Sequence, residues 1–241
     1  MSNLETQATQ DYLKVIYELC ERHERASTGR IAQELQVTPA SVTGMLKKLA
    51  ASEPPLLNYK KHQGVVLTAD GEKRALQIIR RHRLLECFLQ ETLGYRWDEV
   101  HAEAEQLEHA ISGALGSKIA ALLQEPERDP HGSPIPTADL RLPEDGAVAL
   151  GEIAPGQRVR VQRVSDRDAQ LLRYLANVGL TPETELQILP PPPFSDHVRI
   201  QLKTAAKPIT VSAYVAAEVF VTLLHETGEG VKPAVSVHEK T

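Results

Sequence analysis

Cysteine is nearly absent from this chain, which holds only Cys20 and Cys87 among its 241 residues. Two thiols are too few for a disulfide scaffold or a cysteine-rich zinc site. Aromatic residues are scarce too, at 4% against 41% hydrophobic residues, which favours a helix-rich protein with an aliphatic core. No apolar run approaches the roughly 20 residues of a membrane span, and the first residues lack the charged-then-apolar pattern of a secretion signal. These absences predict a cytoplasmic protein without a membrane partner.

Positive and negative charges are concentrated in different parts of the chain. The net charge is −5, yet residues 1–85 contain 13 Lys and Arg against 9 Asp and Glu, whereas residues 86–140 contain 3 against 11. A basic N-terminal part suits contacts with DNA phosphates, and an acidic middle part suits cations.

The N-terminal segments follow the order of a winged helix-turn-helix. Apolar spacing predicts a helix over 6–25 and a short one over 29–35. Thr38 is a good N-cap and Pro39 suits the first position of a third helix. Two short strands around a basic turn follow over 56–68. This order is typical of winged helix-turn-helix DNA-binding domains.

The third helix begins with small polar side chains that can approach base edges and phosphates closely. Lysines lie farther along this helix and at the tip of the hairpin, where they would reach the DNA backbone. The candidate DNA contacts are Arg30, Thr38, Pro39, Ser41, Thr43, Lys47, Lys60 and Lys61. The alternative is a helical bundle whose charged positions are only solvated.

The rest of the chain predicts helices followed by strands, which gives an α+β multidomain fold class. Helices are expected over 68–93, 96–114 and 117–123, and residues 124–146 read as a loop and linker. Strand-like runs over 147–225, interrupted by a helical insert, predict a small separate β-barrel.

The acidic middle part contains a His/Glu cluster. His101, Glu105, Glu108 and His109 share one helical face within an arc of roughly 100°. His82 and Glu86, spaced i, i+4, form a second pair, and Asp11 on the first helix is a further candidate ligand. Close carboxylates repel one another, and a divalent cation converts that repulsion into attraction. The alternative is a solvated acidic face whose histidines pair with nearby carboxylates.

Motifs of other metal proteins and of hydrolases are missing. The HExxH motif is absent, and Gln106 occupies the position where a di-iron bundle would need Glu before His109. No Pro-Cys-x-x-Cys follows the fragment His101-Ala102-Glu103, which excludes a zinc deaminase. Neither G-x-S-x-G nor a phosphate-binding glycine loop is present. We therefore expect a protein that is not an enzyme.

Several segments together resemble the diphtheria toxin repressor family of metal-dependent regulators. The similarity covers about residues 5–225 and is strongest in the strings DYLKVIYEL, RIAQELQVTPASVTGMLKKL, GVVLTADG, RRHRLLECFL and VHAEAEQLEH. It implies a winged helix, a helical dimerisation and metal-binding domain, and a C-terminal SH3-like domain of the FeoA type. The expected bounds are 1–75, 76–143 and 151–225 for these domains, 144–150 for a linker and 226–241 for a disordered tail.

The resemblance also implies two metal sites. His82, Glu86 and His101 match the family's ancillary site. The residues that match the primary site are Asp11, Glu105, Glu108 and His109. In three-domain members the barrel adds an acidic residue and a Gln to the ancillary site, for which Asp168 and Gln170 are the candidates.

The ligand types at the implied primary site favour manganese. The iron-responsive branch uses a Met and a Cys where this chain has Asp11 and Glu105, as in the manganese transport regulators. Carboxylate oxygens suit Mn²⁺, with Fe²⁺ as the alternative and with Zn²⁺, Co²⁺ or Cd²⁺ expected to bind in vitro. Lys14 stands where the manganese regulators typically have Glu, which argues against a closely coupled two-metal site. His101 and the C-terminal barrel are features of the iron-responsive branch.

The combined expectation is a metal-dependent repressor that acts as a homodimer on double-stranded operator DNA of metal-homeostasis genes. A metal joining Asp11 to the helical centre would fix the angle between domains, so that two recognition helices match two half-sites. Two alternatives stay open. One is a regulator that senses a small organic ligand, and the other is a metalloenzyme or metal-buffering protein.

Overall fold

The computed structural model describes residues 6–22, 24–60, 63–192 and 195–224. Lys61 and the tail expected at 226–241 lie outside these ranges. Within them, no helix is both long and apolar enough to cross a membrane.

The N-terminal region is a winged helix-turn-helix, as predicted. Its elements are α1 (Gln7–Arg22), α2 (Thr28–Glu34), α3 (Pro39–Ala50), β1 (Leu57–Lys60) and β2 (Gly64–Leu67), with β1 antiparallel to β2. The Ser27 and Thr38 hydroxyls accept hydrogen bonds from the backbone N–H groups of Arg30 and Ser41, so side chains cap α2 and α3. The fully buried aliphatic core of this region includes Leu13, Ile16, Ile31, Val42, Leu46, Leu49, Leu56 and Val65.

A 23-residue helix, α4 (Ala69–Glu91), runs from the N-terminal region into the centre of the chain and spans the expected boundary at residue 75. Thr68 caps its start. At Gly71 a Cβ would overlap the carbonyl oxygen of Leu56, so only glycine lets α4 pack this closely against the wing. The first two regions therefore share one continuous helix.

The central region contains two further helices, α5 (Val100–Leu107) and α6 (Gly113–Leu122). The predicted single helix over 96–114 is wrong. The chain turns after Leu107, and Ser112 caps a new helix by accepting from Leu115 N–H. Glu108 and His109 consequently lie in the turn between α5 and α6 instead of on the face of one helix.

The C-terminal region is a six-stranded antiparallel sheet in the order β3-β8-β4-β5-β6-β7. Its strands are β3 (Val148–Ala149), β4 (Arg158–Val164), β5 (Glu185–Leu189), β6 (Val198–Leu202), β7 (Ile209–Val211) and β8 (Val219–Leu223), and its helices are α7 (Ala169–Val178) and α8 (Ala213–Ala217). Among the described strands β3 and β7 do not pair, so the predicted barrel is an open sheet, although the arrangement fits an SH3-like domain. The predicted helical insert corresponds to α7.

The C-terminal region packs against a loop of the central region. The backbone N–H of Val164 donates to the carbonyl of His131 at 2.9 Å. Gly132 has φ +89°, and a Cβ there would overlap the carbonyl oxygen of Gln162. Arg173 of α7 pairs with Asp98 at 2.9 Å. These contacts hold the segment after β4 close to α4 and α5.

Candidate metal centres

The described residues include three groups of His, Asp and Glu side chains, with the potential ligand atoms of each group within 4.8 Å of one another, and two of these groups include residues of α4. We name the first group after the helix that carries Asp11 and the other two after a member that is unique to each. The α1 group consists of Asp11, Glu108 and His109. The His101 group consists of His82, Glu86, His101 and Asp166. The Asp129 group consists of Glu86, Asp129 and His131.

The α1 group joins the DNA-binding region to the central region. Asp11 lies on α1, and its Oδ1 is 2.9 Å from Nε2 of His109. Glu108 Oε1 is 3.4 Å from the same nitrogen. His109 Nδ1 lies 2.8 Å from the amide oxygen of Gln10, which accepts its proton and leaves Nε2 to face the two carboxylates. Burial raises the pKa of Asp11, and His109 opposes this rise.

A lysine ammonium lies beside the α1 group. Nζ of the buried Lys14 is 3.0 and 3.2 Å from the two carboxylate oxygens of Glu108, and it is 3.1 Å from Nδ1 of His82. Burial lowers the pKa of Lys14, but Glu108 together with Glu18 and Glu105 outweighs this effect, and the pKa is raised. Lys14 is therefore a fixed positive charge between the α1 group and the His101 group.

In the His101 group two imidazoles face one carboxylate. Nε2 of His82 and Nδ1 of His101 each lie 3.0 Å from Oε1 of Glu86, and these two nitrogens are 3.1 Å apart. Asp166 Oδ2 is 3.5 Å from His101 Nδ1. Burial opposes protonation of His101, but Glu105 and Glu86 raise its pKa to about 11. The His101 group therefore stabilises a positive charge, because its imidazole nitrogens and carboxylate oxygens point toward one another.

The Asp129 group is fully buried and contains unpaired polar atoms. Within the described residues, Glu86 Oε2, Asp129 Oδ2 and His131 Nδ1 have no hydrogen-bond partner. His131 Nε2 donates to the carbonyl of Trp97 at 2.9 Å, which orients Nδ1 toward Glu86. Nε of Arg83 lies 3.5 Å from Asp129 Oδ2 and compensates part of its charge. Buried polar atoms without hydrogen bonds are costly, and the ligand types of these three atoms fit a divalent cation.

Local hydrogen bonds fix the loop that carries Asp129 and His131. Asp129 Oδ1 accepts from the backbone N–H groups of His131 at 2.8 Å and Ser133 at 3.0 Å. Burial and the neighbouring Glu86 raise the pKa of Asp129 to about 7, although Arg83 opposes this. Burial lowers the pKa of His131, but Glu86 raises it to about 9. The loop is ordered around the position where a cation would bind.

Three residues expected at the metal sites lie elsewhere. The Glu105 side chain is 56% exposed and lies 3.5 Å from Nε2 of His101, outside the α1 group. Asp168 caps α7 by accepting from the backbone N–H of Gln170 at 2.7 Å, and both residues are exposed. Because α7 starts at Ala169, Asp168 is used as its N-cap. It is Asp166, two residues earlier, that reaches His101.

Sequence reasoning missed Asp129, His131 and Asp166. The string Asp129-Pro130-His131 in a predicted loop was a signal, since it puts two metal-type side chains two residues apart. Its approach to Glu86 depends on contacts with distant residues, among them Arg83 and Trp97, which no local pattern indicates. Asp166 and Asp168 flank Arg167 in one short segment, and only the start of α7 distinguishes them.

The candidate DNA contacts lie on the surface of the winged helix-turn-helix. Thr38, Pro39 and Ser41 form the exposed first turn of α3, and Thr43 is half-buried, with its hydroxyl donating to Pro39 O at 2.9 Å. The exposed basic residues are Arg30 on α2, Lys47 on α3 and Lys60 at the end of β1.

Three stretches of the chain match known families. Residues 5–65 match the N-terminal DNA binding domain of iron dependent repressors, and residues 68–137 match the metal binding and dimerisation domain of the same repressors. Residues 148–223 match the FeoA domain.

Curated relatives and solved structures agree with these matches. The iron-dependent repressor IdeR of Mycobacterium leprae (strain TN) is 30% identical over 193 residues, covering 75% of this chain and 83% of that protein. The HTH-type transcriptional regulator MntR of Bacillus subtilis (strain 168) is 37% identical over 124 residues, covering 52% of this chain and 85% of that protein. A solved manganese-dependent transcriptional repressor in complex with manganese is 40% identical, with a TM-score of 0.81 over 89% of this chain and 99% of that chain.

These relatives are transcriptional regulators and not enzymes, as the sequence predicted. The order of a winged helix-turn-helix, a helical centre and an SH3-like domain is also confirmed. The chain therefore belongs to the family of metal-dependent transcriptional repressors that includes the diphtheria toxin repressor, IdeR and MntR, with a C-terminal FeoA domain.

Proposed function

We propose that this protein is a Mn²⁺-responsive repressor of metal-homeostasis genes that binds operator DNA as a homodimer. The observation that carries the proposal is the α1 group. In it Asp11, from the first helix of the DNA-binding region, meets Glu108 and His109 of the central region within hydrogen-bond distance of the His109 ring.

The α1 group supports a linkage between metal and DNA. A divalent ion would supply the charge that holds Asp11 against Glu108 and His109. Asp11 then fixes α1, and with it α3, relative to the central helices. Any ion that favours the DNA-binding arrangement must itself bind more tightly when DNA is bound.

The donor atoms support manganese. Every member of the three groups offers a carboxylate oxygen or an imidazole nitrogen. The buried Cys87 donates to Arg128 O at 3.6 Å instead of joining a group. Oxygen-rich sites suit Mn²⁺, and Fe²⁺ is the alternative because the same ligands bind it. Zn²⁺, Co²⁺ and Cd²⁺ are expected to bind in vitro, since Mn²⁺ is the weakest binder of the divalent series.

We further propose that the α1 group holds one ion. Lys14 already contributes a positive charge to both oxygens of Glu108, so a second ion there would face electrostatic repulsion. Glu105 remains a proposed additional ligand, because its exposed side chain lies one helical turn before Glu108 and would reach the group by giving up its contact with His101.

The expected domains and partners form part of the same proposal. The winged helix-turn-helix of residues 1–75 would contact DNA with the candidate residues of α2, α3 and the wing. The central domain, residues 76–143, carries large exposed apolar side chains, with Leu93 56%, Leu115 45% and Leu122 61% exposed. Such side chains are typical of an interface, and a second copy of the chain would cover them.

A duplex titration tests the proposal. The duplex is first selected from a random pool with the Mn²⁺-loaded protein, and its affinity is then measured without metal and with Mn²⁺, Fe²⁺ or Zn²⁺. We expect Mn²⁺ to strengthen binding at least about tenfold, within the usual range of coupling between two ligands. An affinity that no divalent ion changes would contradict metal sensing and leave a sensor of an organic ligand or a metal-buffering protein as the explanation.

A further inference from the structure

One arginine of the C-terminal region reaches two helices of the DNA-binding region. Arg167 Nη2 lies 2.8 Å from Oε2 of Glu18 on α1, and its Nη1 lies 2.7 Å from Oε1 of Glu34 on α2. The planar guanidinium offers separate nitrogens to separate carboxylates, so one side chain joins both helices.

The residue before this arginine belongs to the His101 group. Asp166 lies 3.5 Å from His101 and is the residue directly before Arg167 in the backbone. The segment is held from both sides, because Ser165 N–H donates to Glu218 O at 2.9 Å and Asp168 caps α7. A change in the position of Asp166 is therefore passed to Arg167.

We propose that Arg167 is an interdomain clamp that couples the His101 group to the orientation of the DNA-binding domain. This inference rests on the proposed metal-dependent function and adds a second connection beside the α1 group. When an ion holds Asp166 against His82, Glu86 and His101, Arg167 holds α1 and α2 through Glu18 and Glu34. The C-terminal domain then has a positioning role in DNA binding as well as a role as ligand donor.

The expected size of the effect follows from solvent exposure. The side chains of Arg167, Glu18 and Glu34 are 29%, 28% and 32% exposed, so water and salt screen both pairs in part. We therefore expect loss of the clamp to weaken the metal-dependent gain in operator affinity roughly three- to tenfold without abolishing it.

Amide hydrogen exchange over Gln7–Glu34, measured with and without Mn²⁺, tests directly whether Arg167 restrains α1 and α2. In the wild type we expect Mn²⁺ to slow exchange in both α1 and α2. In Arg167→Ala the slowing in α2 is reduced more than the slowing in α1, because α1 is also held through Asp11, and Arg167→Lys restores only part of it. The triple variant Arg167→Glu, Glu34→Arg, Glu18→Gln restores the pair to α2 with reversed charges and without repulsion from Glu18, and it should recover protection of α2.

Lys203→Ala is the matched control, because Lys203 belongs to the same domain but pairs with Glu185 inside that domain. It should leave the Mn²⁺ effect on α2 unchanged. Equal protection of α2 in the wild type and in Arg167→Ala would overturn the clamp. A wild type whose operator affinity does not respond to any divalent ion would overturn the proposed function itself, so the two failures are distinguishable.

Discussion

The α1 group and the Asp129 group contain the same ligand types in opposite settings. In the α1 group Asp11 is 34% exposed and comes from a different region than its partners. In the Asp129 group all three members are buried, and backbone N–H groups fix the aspartate. A buried, prearranged group binds an ion without moving domains, whereas the α1 group is complete only when α1 is in place. We propose from this difference that the Asp129 group would bind an ion structurally and that the α1 group would act as the sensor.

Glu86→Gln gives the largest expected effect, because Glu86 belongs to both the His101 group and the Asp129 group. Loss of a fully buried carboxylate facing three imidazoles should lower the free energy of unfolding by about 3 kcal/mol and remove the ions bound there. Thermal unfolding and the metal content of the dialysed protein measure both effects. Glu91→Gln, an exposed change on the same helix, is the control. Unchanged metal content in Glu86→Gln would show that the buried groups are not ion sites.

Gly132→Ala should disturb the backbone of the loop that carries Asp129 and His131. The residue has φ +89°, and its new Cβ would overlap the Gln162 carbonyl, so we expect destabilisation of about 2–3 kcal/mol. Gly94→Ala is the matched control, because Gly94 has φ +73° with no heavy atom near the added Cβ. Equal losses of stability in the two variants would mean that the close packing of the C-terminal region on this loop contributes nothing.

Substitutions of two neighbouring glutamates test which of them is a principal ligand of the α1 group. Glu108→Gln should weaken Mn²⁺ binding there about 100-fold, and Glu105→Gln about tenfold, because only Glu108 already lies beside His109. Isothermal titration with Mn²⁺ gives both affinities. An equal or larger loss in Glu105→Gln would show that its side chain rotates into the group and becomes a principal ligand.

The release of protons on metal binding is the smallest effect that we expect, and it tests whether the histidines of the buried groups bind the ion. The raised pKa values of His101, about 11, and His131, about 9, mean that both rings are protonated at pH 7.5 without metal. A ligating imidazole must be neutral, so metal binding should release about one proton per ring and should weaken as the pH falls. Titrations in buffers of different ionisation enthalpy measure the release. His131→Gln should lower it by about one proton, and identical release in that variant would contradict the assignment.

Local patterns predicted the elements whose signals lie within a few residues. Thr38 caps α3 as expected, and the i, i+4 spacing of His82 and Glu86 puts both on one face of α4. The end of α5 was missed because no Gly or Pro interrupts residues 108–112, and the break depends on Ser112 capping α6. Helical geometry therefore grouped Glu105 with Glu108 and His109, which the turn separates.

The remaining part of the candidate site depends on contacts between distant segments. Asp129 and His131 meet Glu86 because their loop is held by Arg83 of α4, by Trp97 and, through Val164 and Gly132, by β4. Such packing carries no signature in residue spacing. The same holds for Lys14, whose contact with both Glu108 and His82 joins α1 to two other segments. Composition and motifs identified the ligand types, and tertiary packing decided which of them meet.

The most direct test of the central claim compares the wild type with Asp11→Asn in operator binding at rising Mn²⁺ concentration. Asn keeps the size of the side chain but removes the charge that links α1 to the central region. We predict that Mn²⁺ strengthens wild-type binding at least about tenfold. Asp11→Asn should lose that gain while keeping its metal-free affinity and the ions of the buried groups. An equal Mn²⁺ response in both proteins would contradict the claim that the α1 group is the sensor.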